Sequence, residues 1–110
     1  MTPAHLAVEH GRLNELTRLL DADTDPNEMW SHMSLILHAI DVEADGAVQN
    51  DVPLNVACTA VLLPYGADPG RPCPQGEIPL LFSLHYDHEM AVGRLEAHIA
   101  RRRNEQVLAG

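Results

Sequence analysis

Asp41-Val42-Glu43-Ala44-Asp45-Gly46 sets three carboxylates at alternate positions and follows them with a glycine. Hard cations such as Ca²⁺ need several carboxylate or carbonyl oxygens around a sharp turn. Asp41, Glu43 and Asp45 are therefore the candidate metal ligands, and Asn50 or Asp51 could add an oxygen. Against this, Val52 stands where such a loop carries a bidentate Glu, and Glu43 is bulky at its site. The competing reading is a solvated acidic loop with Gly46 as its turn residue. His38 precedes Asp41 by three residues, so on a helix the two share a face, with Asp45 one turn further. A His–carboxylate pair beside a concave surface can do acid–base work. His38, Asp41 and Asp45 are thus the candidate catalytic groups, against a His38 that only stabilises the adjacent turn by hydrogen bonding.

Two other clusters carry less chemistry. His85-Tyr86-Asp87-His88 has two histidines at i, i+3 with an acid between, an incomplete zinc set whose nearest Cys is Cys73. Cys58 and Cys73 are too few for a disulfide framework. Cys58 is expected on the buried face of its helix as an inert thiol. There is no cofactor motif.

The stretch Glu28-Met29-Trp30-Ser31-His32-Met33 holds the only Trp and two of the four Met residues, next to the Asp25-Pro26-Asn27 turn. Turns seldom carry such side chains without burying them, and Trp and Met are typical interface anchors. Met29, Trp30, His32 and Met33, with Asp41, Glu43 and Asp45 as steering charges, form the candidate partner-binding set. The alternative is a tip that folds back and caps the neighbouring helix.

The elements that must position these groups are helical. Thr2 can cap a helix with Pro3 at its first position, and Gly11 ends it. Leu13, Leu16, Leu19 and Leu20 mark one face of a second helix. Residues 34–40 and 56–63 supply a second pair, the latter stopping or kinking at Pro64. Ile78-Pro79 opens a third, whose partner has its face at Val92, Leu95 and Ile99 and runs into Arg101-Arg102-Arg103, three cations that suit a helix C-terminus. The chain is 45% hydrophobic with few aromatics, which fits thin helices packed closely. Its net charge of -9 is uneven. Residues 1–69 hold eleven acids against Arg12 and Arg18, while residues 70–110 hold five of each sign. Such a chain repels nucleic acid and favours a basic protein surface. No stretch reaches the ~20 apolar residues of a membrane helix, and no leader pattern opens the chain, so no membrane partner and a cytoplasmic location are expected.

Thr2-Pro3-Ala4-His5-Leu6-Ala7, followed by Gly11, Leu19-Leu20 and Asp25-Pro26-Asn27, resembles one ankyrin repeat, and Gly66-Ala67-Asp68-Pro69 resembles the turn that closes another. Thr2-Pro3 and Ile78-Pro79 lie 76 residues apart. Two periods of about 33 leave about ten residues over, and the Asp-Pro turns place that excess at 41–53, between the helices of the middle unit. In that unit Leu35 stands where the family has proline, and Leu37-His38 where it has His-Leu. The resemblance implies an all-α, ankyrin-like helical-hairpin solenoid forming one domain. Its repeats would cover about 2–27, 28–70 and 71–100, with a helical tail over 101–110. It further implies a turn-stabilising role for His5, and partner contacts at the tips 28–33 and 71–75 and along the first helices. The implied function is a protein–protein interaction module (an adaptor, inhibitor or immunity-type binder) without catalysis or cofactor. The alternative is a small enzyme of small-molecule metabolism using His38, Asp41 and Asp45. An array without polar caps leaves apolar ends that could pair with a second copy.

Overall fold

Thr2 is extended, and its hydroxyl accepts from the His5 amide at 3.2 Å, which satisfies one of the orphan donors at the start of α1 (Pro3–Glu9). Pro3 has no amide hydrogen to lose there. Ala4, His5, Ala7 and Val8 form the buried face. Gly11 leaves the helix in the left-handed region at φ 64°, and the Arg12 amide returns to the Ala7 carbonyl at 2.8 Å. α2 (Leu13–Asp21) then buries Leu16 and Leu20. In the computed structural model the described residues are 1–49, 55–70, 72, 76, 78–85 and 88–109, with the backbone alone for 47–49, 85 and 105–109.

The stretch after Asp25-Pro26-Asn27 forms the only strands among the described residues. β1 (Met29–Trp30) and β2 (Met33–Ser34) pair antiparallel, with Met29 opposite Ser34 and Trp30 opposite Met33. A two-residue turn of this kind needs positive φ at both central positions. Ser31 and His32 supply it at 50° and 67°, although neither is glycine. At order 1 kcal/mol each, that strain is tolerable in an exposed tip.

α3 (Leu35–Gln49) is the longest element of the middle unit. Residues 34–40 are buried in an unbroken run, as for a helix surrounded by others. Here the expected insertion is corrected. Residues 41–49 do not form a loop between helices but continue α3 through Gly46. Nothing before Pro53 forbids a helix, and a mid-helix glycine costs only about 1 kcal/mol. Ala44 carries the buried face onward. Residues 50–53, the rest of the expected insertion, lie outside the described residues. α4 (Ala57–Leu62) ends just before Pro64, as expected. α5 (Pro79–His85) and α6 (Glu89–Ala109) complete six helices among the described residues.

The helices pack as sequence neighbours and as alternate neighbours. α1 meets α2 and α3, α3 meets α4 and α5, α5 meets α6, and α2–α4 and α4–α6 also touch. Leu16, Leu35, Ile36, Ile40, Leu62 and Leu95 are the large side chains of the core. Turns are clasped as well. The Asn27 amide donates to the Gly66 carbonyl at 3.1 Å, while its oxygen accepts from the Asp68 amide at 2.7 Å.

One buried carboxylate ties three of these helices together. α4 begins at Val56, which has no side-chain oxygen to cap it. Glu43 reaches over from α3 and does so instead. Its Oε2 accepts from the Cys58 and Thr59 amides at 3.1 and 3.3 Å, and its Oε1 from the Thr59 hydroxyl at 2.7 Å. The fourth donor is His88 Nε2 at 2.9 Å. His88 Nδ1 accepts from the Ala91 amide at 3.3 Å in the first turn of α6, so this imidazole is neutral and carries its proton on Nε2. A buried carboxylate is tolerated when its lone pairs are met in this way. Replacement by Gln turns an NH₂ toward at least one of these donors. We expect Glu43→Gln to lower unfolding free energy by about 2–4 kcal/mol, measured by urea denaturation. A loss below about 1 kcal/mol would contradict the capping role.

Candidate functional site

The helix that replaces the acidic loop separates its three carboxylates. At about 100° per residue, Asp41 and Asp45 lie close to one side of α3 and Glu43 points the other way, into the core. Glu43 is therefore not the exposed ligand or steering charge expected from sequence. Among the described residues no group of three or more His, Cys, Asp and Glu could hold a metal. The zinc candidate is also broken up: His88 is engaged with Glu43, and the side chains of His85, Tyr86 and Asp87 lie outside the described residues.

His38 is drawn away from its expected partners. It sits at the contact of α3 with α1, and its Nε2 meets Glu9 Oε2 at 2.6 Å rather than Asp41. Its Nδ1 lies 2.9 Å from Nδ1 of His5, whose Nε2 lies 3.2 Å from the Glu28 carbonyl. These contacts fix the protons. A carbonyl only accepts, so His5 Nε2 donates to it. Burial pushes His5 below its ordinary value, with the nearby His38 charge adding to this and the Glu28 carbonyl opposing it. His5 is therefore the neutral ring and accepts at Nδ1. His38 then donates to it from Nδ1, while its Nε2 meets the half-exposed Glu9 carboxyl group. Neither ring has a nitrogen left to offer a substrate. Asp41 remains near enough to feel His38. Its carboxyl is raised by burial first and by Asp45 second, with His38 acting against both.

Glu9 is the member of this network that sequence reasoning missed. The available signal was its i+4 position relative to His5 on α1, which puts both on one helix face. A second tie anchors the same corner: the Thr2 hydroxyl donates to Glu28 Oε1 at 2.6 Å.

The hairpin lies over these rings. Trp30 stacks on His38 with centroids 6.4 Å apart and planes 27° apart, and sits tilted over His5 at 6.2 Å. The network thus fixes the indole from one side. The other side stays open: Trp30 is 37% exposed and Met29 beside it 40%. His32 is exposed in the turn and Met33 half-buried. Of the expected partner-binding residues, Met29, Trp30 and His32 therefore share an accessible tip, with Glu9 and Asp41 close to the His38 ring beneath it. Of the second tip, 71–75, only Pro72 is among the described residues.

No family model, no curated protein and no solved structure matches this chain. No helix among the described residues is long and apolar enough to cross a membrane.

Two outcomes follow from the protonation of buried groups. The unfolded chain binds a proton on His5 near 6.5, whereas the folded chain does so only at lower pH. The stability contributed by neutral His5 is thus complete above 6.5 and is lost as pH falls through the folded value. The stability gap between wild type and His5→Gln, measured by urea unfolding, is expected to shrink between about pH 7.5 and about pH 5. A gap that widens on acidification contradicts a neutral His5. The Cys58 thiol is pushed up to about 11 by burial and then by the charge of Glu43. In a Cys73→Ser background it should react with an aromatic disulfide at pH ~8 at least ~100-fold more slowly than in unfolded chain. Equal rates would show an accessible thiolate.

Proposed function

We propose that this chain is a short solenoid of ankyrin-like helical hairpins that binds a protein with a basic surface through the β1–β2 tip, as an adaptor, inhibitor or immunity-type protein. The solenoid reading is supported by the order of helix contacts. First helices α1, α3 and α5 meet in turn, as do second helices α2, α4 and α6. The Asn27 clasp between successive turns is a further argument for it.

The observation that carries the binding reading is the state of Trp30. An indole with one face stacked on a hydrogen-bonded imidazole pair and the other open has little left to lose in rotamer freedom. Such preorganised aromatic anchors are where interface energy concentrates. Met29 widens the apolar patch, and its flexible thioether adapts to a partner's contour. Glu9 and Asp41 near the His38 ring, with Asp45 one turn further along α3, favour approach of a basic surface, with more effect on association rate than on final affinity.

The test is affinity capture from host lysate followed by titration of the protein recovered. Trp30→Ala is expected to weaken binding by about 2 kcal/mol, roughly thirtyfold. Paired Asp41→Asn and Asp45→Asn substitutions should slow association and flatten its dependence on salt. Recovery of the same proteins with unchanged affinity by Trp30→Ala would remove the anchor and the reading with it.

A further inference from the structure

At the other end of the chain, the cations of α6 lose the explanation that sequence assigned to them. Arg101, Arg102 and Arg103 read as the last turn of a helix, where they would complement the macrodipole. α6 instead continues to Ala109, and its last turn contains no basic residue. The dipole acts within the final turn, so it does not account for cations lying a further turn and more inside the helix.

Their spacing accounts for them differently. Arg94, His98, Arg101 and Arg102 recur at intervals that place them on one face of α6. That face, with Leu63 and Pro64 beyond the end of α4, encloses a cleft of about 480 Å³. Clefts of this size take small molecules. No carboxylate of the described residues lines it. Among the described residues none of Arg94, Arg101 and Arg102 is in an ion pair with an acid. Acids border only the neighbouring hollows among the described residues: Asp68 that of Arg102 and Arg103, and Glu89 that of Arg94. The contrast is sharp in a chain of net charge -9, whose first 69 residues hold only two arginines.

We propose that this cleft binds a small molecule bearing phosphoryl groups. Guanidinium forks match phosphoryl oxygens in bidentate geometry. Seven residues of helix separate Arg94 from Arg101, about 10 Å. Their long stems let both guanidinium groups turn toward one compact polyphosphate seated between them, beside Leu63 and Pro64. Like charges crowded on one helix face repel, and a bound polyanion relieves that repulsion. A nucleic-acid polymer is disfavoured, because the remainder of this acidic chain repels a long phosphate backbone.

The experiment is calorimetric titration and thermal melting of the full chain with inorganic pyrophosphate. Citrate and sodium chloride at matched ionic strength, and a short RNA duplex, serve as the other arms. Pyrophosphate is expected to bind with one-to-one saturation and to raise the melting temperature, whereas citrate and chloride give at most a tenth of its affinity. The exposed pair Arg94→Gln and Arg101→Gln should weaken pyrophosphate binding at least tenfold. Arg12→Gln, on another part of the chain, should leave it unchanged. Melting of the unliganded variants by circular dichroism verifies that they fold. Equal affinity for pyrophosphate and citrate, tighter binding of the RNA duplex, or full binding by the double variant would each overturn the proposal.

Discussion

A carboxylate taken out of water must have its lone pairs met, and the four donors around Glu43 meet that requirement from two other elements, α4 and the start of α6. Few arrangements of α3, α4 and the start of α6 bring those donors to one point. Apolar packing against Leu62 and Leu95 pulls these helices together but is tolerant of small slides. The hydrogen bonds to Glu43 are not, because each is directional and a lost one strands a buried polar group. The acid thus fixes register where hydrophobic burial supplies attraction. It also explains how α4, six residues long and without a side-chain cap of its own, holds its first turn.

The corner formed by α1, α3 and the hairpin works on a related principle with a different outcome. There too, buried polar groups are satisfied in series, from the Glu28 carbonyl through His5 and His38 to Glu9. This series ends in a half-exposed carboxylate and is covered by an aromatic ring that solvent still reaches. The first network is sealed and serves the core. The second is sealed on one side and presents its lid to the outside. A strained Ser31-His32 turn fits this arrangement, since the hairpin is held at its base by the imidazoles rather than by its own two pairs of residues.

Much of the helical framework was legible in the residues. Thr2-Pro3, Gly11 and the leucines of α2 mark their elements by local chemistry, and Pro64 halts α4 where its missing donor requires. What was not legible is long-range. Asp41, Glu43 and Asp45 look alike in a string of letters, yet burial gives the middle one a different environment from its neighbours. The alternate spacing that suggested a shared ligand site does the reverse on a helix, turning Glu43 away from the other two. Glu9 gave no sign of its pairing with His38 because that contact spans 29 positions. The hairpin tip was read from its composition alone, and its stacking on His38 depends on tertiary packing that no local pattern encodes.

The Asn27 clasp has a consequence for how such a chain can vary in length. It joins the turn after α2 to the turn after α4, and so locks one end of successive hairpins at a fixed spacing. At the opposite end of α4, α3 runs on to Gln49. Growth there leaves the locked turns undisturbed, whereas an added residue near Asn27 or Gly66 would break two hydrogen bonds at once. The fold therefore accepts insertions with a polarity: one edge is conservative in geometry, and the other is open to elaboration.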